Sequence, residues 1–462
     1  MSRKISVLNV ESNFVDGALH SAKIHTRSFE GLHRRLRLMG SGFLMILYFG
    51  TAWVTWDGHQ AVLWQLSKNK FHIFSQTFWP QDLIILTGIL VVCAVGLFLL
   101  TMIAGRVWCG YTCPQSVWTW LFMWTEKVTE GERHQRIRLD QSPTTIGKLL
   151  RRTQKHGLWL IISFITGLTF VGYFTPIREL AVDIVALETG TTTTFWLGFF
   201  TLATYINAGW LREKVCLHMC PYGRFQSSML DADTLVVAYD KARGEPRGSR
   251  KRGATDVTMQ LGDCIDCQLC VQVCPTGIDI RDGLQMACIG CAACIDVCND
   301  VMDKMGYTNG LIRYASENEL QGKATRFYRP RVLGYAAVLL CLTAIMVWGI
   351  STRPLLNVTV AKDRMLYRYG SNGDIENIYL LKLANKDHMA HPFSISVSGP
   401  EGVTLSEVPS IVIGAGEMSE FTVVVSMPDV SNSEKVADIL FAVEGPTASL
   451  SALVPSRFSL PR

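Results

Sequence analysis

The sequence predicts a polytopic α-helical membrane protein of about five spans, with a small cysteine-rich insert on one side and a β-sandwich at its C-terminus. Three observations predict it. Five stretches are apolar over the length of a bilayer core. Eight cysteines fall in two runs between the fourth and fifth stretch. The last hundred or so residues lack cysteine and read as short strands divided by turns.

The chain has 462 residues, 48% of them hydrophobic, and a positive mean hydropathy, which is too apolar for a wholly soluble protein of this size. The apolar stretches are 39–56, 83–104, 158–175, 195–211 and 332–350. One alone would read equally well as a soluble core helix, but five with aromatic and basic flanks do not. Arg34, Arg35 and Arg37 precede the first stretch, nine Lys and Arg lie between the second and third, and Arg326, Arg329 and Arg331 precede the fifth. The connection 57–82 carries only Lys68 and Lys70, and 176–194 only Arg178 against Glu179, Asp183 and Glu188. The positive-inside rule then puts the N-terminus and the cysteine-rich insert in the cytoplasm and the tail in the periplasm, as a multi-pass protein of a bacterial inner membrane. No cleaved signal peptide is expected, because the first apolar run begins only near Met39 and no small-residue cleavage site follows. The net charge of +5 is explained by cytoplasmic loops facing anionic membrane lipid and implies no nucleic acid partner. The expected divisions are a cytoplasmic segment 1–38, a four-span domain 39–230, a linker 240–254, the insert 255–309, a connector 310–331, a fifth span 332–350 and an exported domain 351–462.

Two C-x3-C-P motifs sit at the ends of the second and fourth spans: Cys109 and Cys113 before Pro114, and Cys216 and Cys220 before Pro221. They suggest a diverged parallel repeat that brings both motifs to one depth. Each proline disfavours α conformation at the cysteine before it and suits the first turn of a new helix. Cys113 and Cys220 are therefore expected at helix N-termini, where thiolate is stabilised. Four such thiolates make a soft site suited to Cu(I), zinc or an iron–sulfur cluster; the plainer alternative is small buried cysteines at crowded helix ends. His218 and Met219 lie inside the second motif and are candidate extra ligands, equally readable as solvated side chains. Cys93 and Cys341 lie within spans and read as small apolar residues. No recurring histidine pair suits axial haem ligation.

The insert carries Cys264, Cys267, Cys270 and Cys274, followed by Pro275, and then Cys288, Cys291, Cys294 and Cys298. Both runs have the C-x2-C-x2-C-x3-C spacing of bacterial ferredoxins, in which the fourth cysteine of each run serves the other cluster. The expected pairing is Cys264, Cys267, Cys270 and Cys298 on one [4Fe–4S] cluster, and Cys288, Cys291, Cys294 and Cys274 on the second. A structural zinc site more often stops at C-x2-C pairs with a wider gap. Asn299 departs from the pattern, since no proline follows Cys298, and this leaves the local turn open. All fourteen cysteines precede Leu342, which fits cytoplasmic thiolate chemistry and argues against a disulfide framework in the tail.

In the tail, short apolar runs recur at 355–360, 378–383, 393–397, 410–413, 421–425 and 437–443. Ser371-Asn372-Gly373-Asp374, Gly399-Pro400 and Gly445-Pro446 mark turns. Strand spacing and domain length suit an immunoglobulin-like β-sandwich.

The order of these elements, with the block from Gly105 to Gln115, the run Cys288-Ile-Gly-Cys291-Ala-Ala-Cys294-Ile-Asp and Gly310-Leu-Ile-Arg-Tyr314, resembles the cbb3-type cytochrome c oxidase accessory proteins of the CcoG/FixG/RdxA family over nearly the whole chain. The resemblance implies a membrane cupric reductase that supports copper delivery to the oxidase. It also implies copper-transport and oxidase-assembly proteins as partners, and an immunoglobulin-like C-terminal domain. The family's cluster ligands map onto the eight cysteines of the insert, and its C-x3-C-P positions onto Cys109, Cys113, Cys216 and Cys220. Two other functions compete: a quinol dehydrogenase-type polyferredoxin subunit, and a non-enzymatic assembly factor with structural clusters. No flavin or nicotinamide fingerprint is present, so the expected electron donor is another cytoplasmic protein.

Overall fold

Helices occupy each of the five apolar stretches, with ends that differ from the hydropathy limits. They are Leu32–Thr51, Leu83–Ala104, Ile146–Val171, Thr191–Thr204 continued by a π-helix Tyr205–Leu211, and Pro330–Ser351. In this computed structural model the described residues are 24–56, 58–74, 76–252, 261–370, 373–387, 389–405, 411–428 and 436–461. Positions 1–23 of the N-terminal segment, the junction 253–260 where the insert was expected to begin, the Ser371-Asn372 turn and Ser410 lie outside them. Among the described residues two helices, Leu83–Ala104 and Pro330–Ser351, are long and apolar enough to cross a membrane, each with 22 residues and with mean hydropathies of 3.0 and 2.2. The other three fall short for visible reasons. Leu32–Thr51 carries Arg34, Arg35 and Arg37, Ile146–Val171 opens with Lys148, Arg151, Arg152 and Lys155, and Thr191–Thr204 has only 14 residues before the π-helix.

The chain forms two compact units, residues 1–53 with 90–343, and residues 54–89 with 344–462. In the first unit, helix Pro114–Glu130 lies against Ile146–Val171 around Phe122 and Trp159, both almost wholly buried. Charges are buried there too. Glu126, 0% exposed, takes Arg212 at 2.5 Å and Arg136 at 3.0 Å, while Glu130 takes Lys155 at 2.7 Å. Buried ions of this kind persist only when paired. The cysteine-rich insert is framed by an antiparallel strand pair, Val236–Tyr239 with Ile312–Ala315, and contains helices Leu269–Gln272 and Ala293–Met305. The stretch expected as a solvated linker is held more firmly than that. Arg243 donates to Asp263 at 2.6 Å and to the Asn309 carbonyl at 3.1 Å, and Arg250 to the Tyr307 hydroxyl at 2.9 Å.

In the second unit two antiparallel sheets enclose one apolar core. The first has the order Thr404–Leu405, Met418–Met427, Ile375–Asn385, Leu356–Lys362; the second Ile411–Ile413, His391–Ser398, Val436–Glu444, Ala452–Ser459. Alternation in Ile375–Asn385 sends Tyr379, Leu381 and Leu383 inward to meet Phe393, Phe441 and Phe458. Strand Ala452–Ser459 has no clear strand signal in the sequence because Pro455 interrupts it. It survives as an edge strand, where a missing N–H costs no ladder bond. The connection 57–82 also holds unexpected order: strands Val62–Gln65, Lys70–Ile73 and Gln76–Phe78 form a small sheet. Asp82 anchors this segment through Lys386 at 2.8 Å and Arg353 at 3.3 Å, all three side chains being almost fully buried.

Candidate functional site: two four-cysteine cavities beside a paired C-x3-C-P centre

Each ferredoxin run folds in the same unusual backbone. Asp266 and Gln268 have φ of 53° and 56°, and at the matching positions Gly290 and Ala292 have 65° and 57°. Left-handed residues are uncommon outside glycine and concentrate where a chain must wrap a site. Here the turns aim backbone N–H groups at sulfur: Gly290 N–H lies 3.4 Å from Cys288 Sγ, and the amides of Val271, Ala293 and Ile312 act on Cys270, Cys291 and Cys298.

The runs cross. One cavity is lined by Cys264, Cys267, Cys270 and Cys298. The other is lined by Cys274, Cys288, Cys291 and Cys294, together with Cys270, which lines both. Burial pushes the thiols of Cys270, Cys288 and Cys298 up to about 12 and raises Cys291 and Cys294 as well. Such thiols ionise only when a bound metal displaces the proton, so the donor set and the inward amides fit an iron–sulfur cluster. Among the described residues no three His, Cys, Asp or Glu side chains converge on a single metal ion. Cysteines at the corners of a cube stand further apart than ligands of one ion. The turn left open at Asn299 is helical: Ala293–Met305 runs through it, and the Asn299 side chain accepts from Gly310 N–H at 3.0 Å.

The two cavities differ in charge. Beside the first, Arg281 is held by Asp279 at 2.6 Å and Asp266 at 2.5 Å. Beside the second, Arg106 donates to the carbonyls of Met286 and Cys288, the latter at 3.0 Å, and Arg37 donates to the Cys291 carbonyl at 3.3 Å while stacking on Trp120. Cys267 is exposed, whereas Cys291 is buried.

The C-x3-C-P motifs show a local two-fold correspondence. Cys113 and Cys220 cap helices Pro114–Glu130 and Pro221–Met229 with extended ψ of 127° and 112°. Gly105 and Arg212, each four residues before the first cysteine of its motif, have φ of 54° and 44°. Ser116 donates to the Cys109 carbonyl at 2.5 Å; at its counterpart Gly223, a Cβ would meet the Cys216 carbonyl at 2.9 Å. Contacts across the pair are reciprocal. Gln115 donates to the carbonyls of Asn207 and Arg212 at 3.1 and 3.2 Å, while Tyr222 meets Thr101 and the Leu97 carbonyl. The four cysteines are near enough to interact by charge, Cys109 with Cys113 and Cys220 and Cys216 with all three others, but among the described residues no three of them converge as ligands of one ion. Burial pushes Cys109 up to about 11 and Cys216 up to about 12. His218 and Met219 are exposed.

The first motif touches the second cavity directly. A Cβ on Gly110 would sit 2.7 Å from the Gly290 carbonyl oxygen and 2.8 Å from Cys291 Cα, so only glycine permits this approach. Cys109 packs against the cluster of Ile289, Cys291 and Ala293, and the fully buried Gln226 meets Cys109 Sγ at 3.5 Å. Sequence reasoning missed Arg37, Arg106 and Gln226, because their partners lie far away in the chain, and Arg281, whose carboxylate partners Asp279 and Asp266 are near in sequence but carry no motif.

Two crossed four-cysteine cavities define an iron–sulfur protein of the two-cluster class. Residues 211–317 match the family described as "4Fe-4S dicluster domain", and residues 346–461 match "IG-like fold at C-terminal of FixG". The chain is 34% identical to the nitrogen fixation protein FixG of Rhizobium meliloti, covering 95% of this chain and 93% of that protein. It is 38% identical to protein RdxB of Cereibacter sphaeroides, over 83% of each, and 35% identical to RdxA of the same organism, over 85% of each. The chain belongs to the FixG/RdxA family.

Proposed function

We propose that this chain is a membrane electron-transfer protein that reduces Cu(II) to Cu(I) at Cys109, Cys113, Cys216 and Cys220. The observation that carries the proposal is the backbone contact of Gly110 with Gly290 and Cys291, which joins the thiol centre to the second four-cysteine cavity. Cys264, Cys267, Cys270 and Cys298 hold one [4Fe–4S] cluster in this reading, and Cys274, Cys288, Cys291 and Cys294 the other. The clusters supply one-electron transfer, matched to a one-electron acceptor. The chain's residues bias its direction. Arg37 and Arg106 favour negative charge at the second cavity, next to the thiols, while Asp266 and Asp279 offset Arg281 at the first. Exposed Cys267 marks the side where a cytoplasmic donor protein reaches the first cluster. Soft thiolates prefer Cu(I), so binding of the product favours reduction. The family resemblance supports a role in copper delivery and assembly of a cbb3-type oxidase. It agrees with five spans, a cytoplasmic insert and a periplasmic β-domain in the inner membrane.

Anaerobic titration of the reduced protein with Cu(II), followed by cluster absorbance, tests this. The parent is expected to be oxidised. A variant with Cys109→Ser and Cys113→Ser is expected to keep its iron but lose Cu(I) affinity and Cu(II)-dependent oxidation. Unchanged reduction rate and Cu(I) binding in this variant and in one with Cys216→Ser and Cys220→Ser would overturn the proposal. One observation favours quinol oxidation as a second reading: a cavity of about 340 Å³ lined by Ala104, Val236, Leu284, Met286 and Cys288, at the end of helix Leu83–Ala104. Reduction of the clusters by a quinol, with no oxidation by Cu(II), would select it.

A further inference from the structure

A second large cavity, of about 400 Å³, lies between helix Leu32–Thr51 and helix Pro114–Glu130. Its lining is divided. One part carries Arg27, Arg34, Arg37, Lys127 and Arg136 against the single carboxylate Glu132. The other part carries Leu38, Met45, Leu121 and Trp124. Two of the cations are deeply placed: Arg37 and Arg136 are each 4% exposed. Arg136 is only partly satisfied. Its Nη atoms reach Glu126 and the Thr26 carbonyl, but Nε–H has no acceptor among the described residues. Lys127 is shared with Glu132 at 2.9 Å. The guanidinium groups of Arg27 and Arg34 make no hydrogen bond or ion pair among the described residues.

A cation-rich recess with a buried, unsatisfied donor recognises an anion with several acceptor oxygens. The apolar half decides what carries that anion. It reaches the surface at Leu38 and Trp124, 55% and 58% exposed, while Phe43, Ile46 and Leu47 are exposed on the other faces of helix Leu32–Thr51. Exposed apolar surface of this extent on a helix that also bears basic residues is surface that acyl chains cover. We infer that this cavity binds the head group of an anionic phospholipid, with the phosphate among Arg27, Arg34 and Arg136 and the acyl chains along Leu38 and Trp124. Arg37, which lines the same cavity and donates to the Cys291 carbonyl, links the lipid site to the second four-cysteine cavity. The inference goes beyond the copper reading and does not depend on it.

Delipidated full-length protein in detergent tests it by native mass spectrometry, with phosphatidylglycerol and phosphatidylcholine of identical acyl chains as probes. Phosphatidylglycerol is expected to bind preferentially. Arg27→Gln with Arg34→Gln is expected to weaken it roughly tenfold or more, because two cations are withdrawn from the phosphate, and to leave phosphatidylcholine adducts unchanged. Arg27→Lys with Arg34→Lys is expected to retain binding. Iron content checks that the variants fold, since neither side chain supports the core. Equal binding of the two lipids, or an unchanged Gln variant, would overturn the inference. Displacement of phosphatidylglycerol by millimolar inorganic phosphate alone would also overturn it, since the site would then read a free anion.

Discussion

Glu126→Gln is the sharpest test of how the helical unit holds its second thiol motif. Glu126 is 0% exposed and receives Arg212 at 2.5 and 3.3 Å and Arg136 at 3.0 Å. Arg212 has a left-handed φ of 44°, costly for a bulky residue, and it turns the chain four residues before Cys216. Gln keeps the shape but removes the charge, leaving two buried guanidinium groups uncompensated. Breaking a buried pair in this way costs about 3–5 kcal/mol. With an unfolding entropy of about 2.1 cal/mol/K per residue over a unit of about 300 residues, each kcal/mol moves the midpoint by roughly 1.5 °C, so the unfolding midpoint is expected to fall by about 5–8 °C. Tryptophan fluorescence during heating reads it, and Cys216 should alkylate faster as its turn loosens. Replacing the triad together (Glu126→Leu, Arg136→Met, Arg212→Met) should recover most of the loss, because the desolvation penalty leaves with the charges. A Gln variant within about 0.5 kcal/mol of the parent, the range of ordinary surface changes, would refute the reasoning.

Two more predictions concern the clusters and the membrane. Cys274→Ala and Cys298→Ala should each lower iron from about eight to about four atoms per chain, with Cys274→Ala sparing the cluster of Cys264, Cys267 and Cys270, and Cys298→Ala the other; iron analysis with electron paramagnetic resonance checks this, and stoichiometric zinc would contradict it. A reporter fused after Arg462 should be active only if it works in the periplasm, and one inserted near Gly248 only if it works in the cytoplasm; the reverse pattern would place the cysteine runs in an oxidising compartment.

Features set by near neighbours were legible in the sequence. The x2-x2-x3 spacing announced the two cysteine runs, and Pro114 and Pro221 forced extended backbone at Cys113 and Cys220. The apolar run 378–383 marked the middle of strand Ile375–Asn385, and continuous apolar character marked Leu83–Ala104. These follow from local sterics and solvation, which act over a few residues. The tertiary structure alone decided which distant groups serve them. Arg106 reaches Cys288, Arg37 reaches Cys291, Gln226 reaches Cys109, and Asp82 joins the 57–82 connection to Lys386. An ion pair or a glycine contact such as Gly110 on Gly290 leaves no spacing to read, because its energy depends on distance in space, desolvation and the packing of both partners.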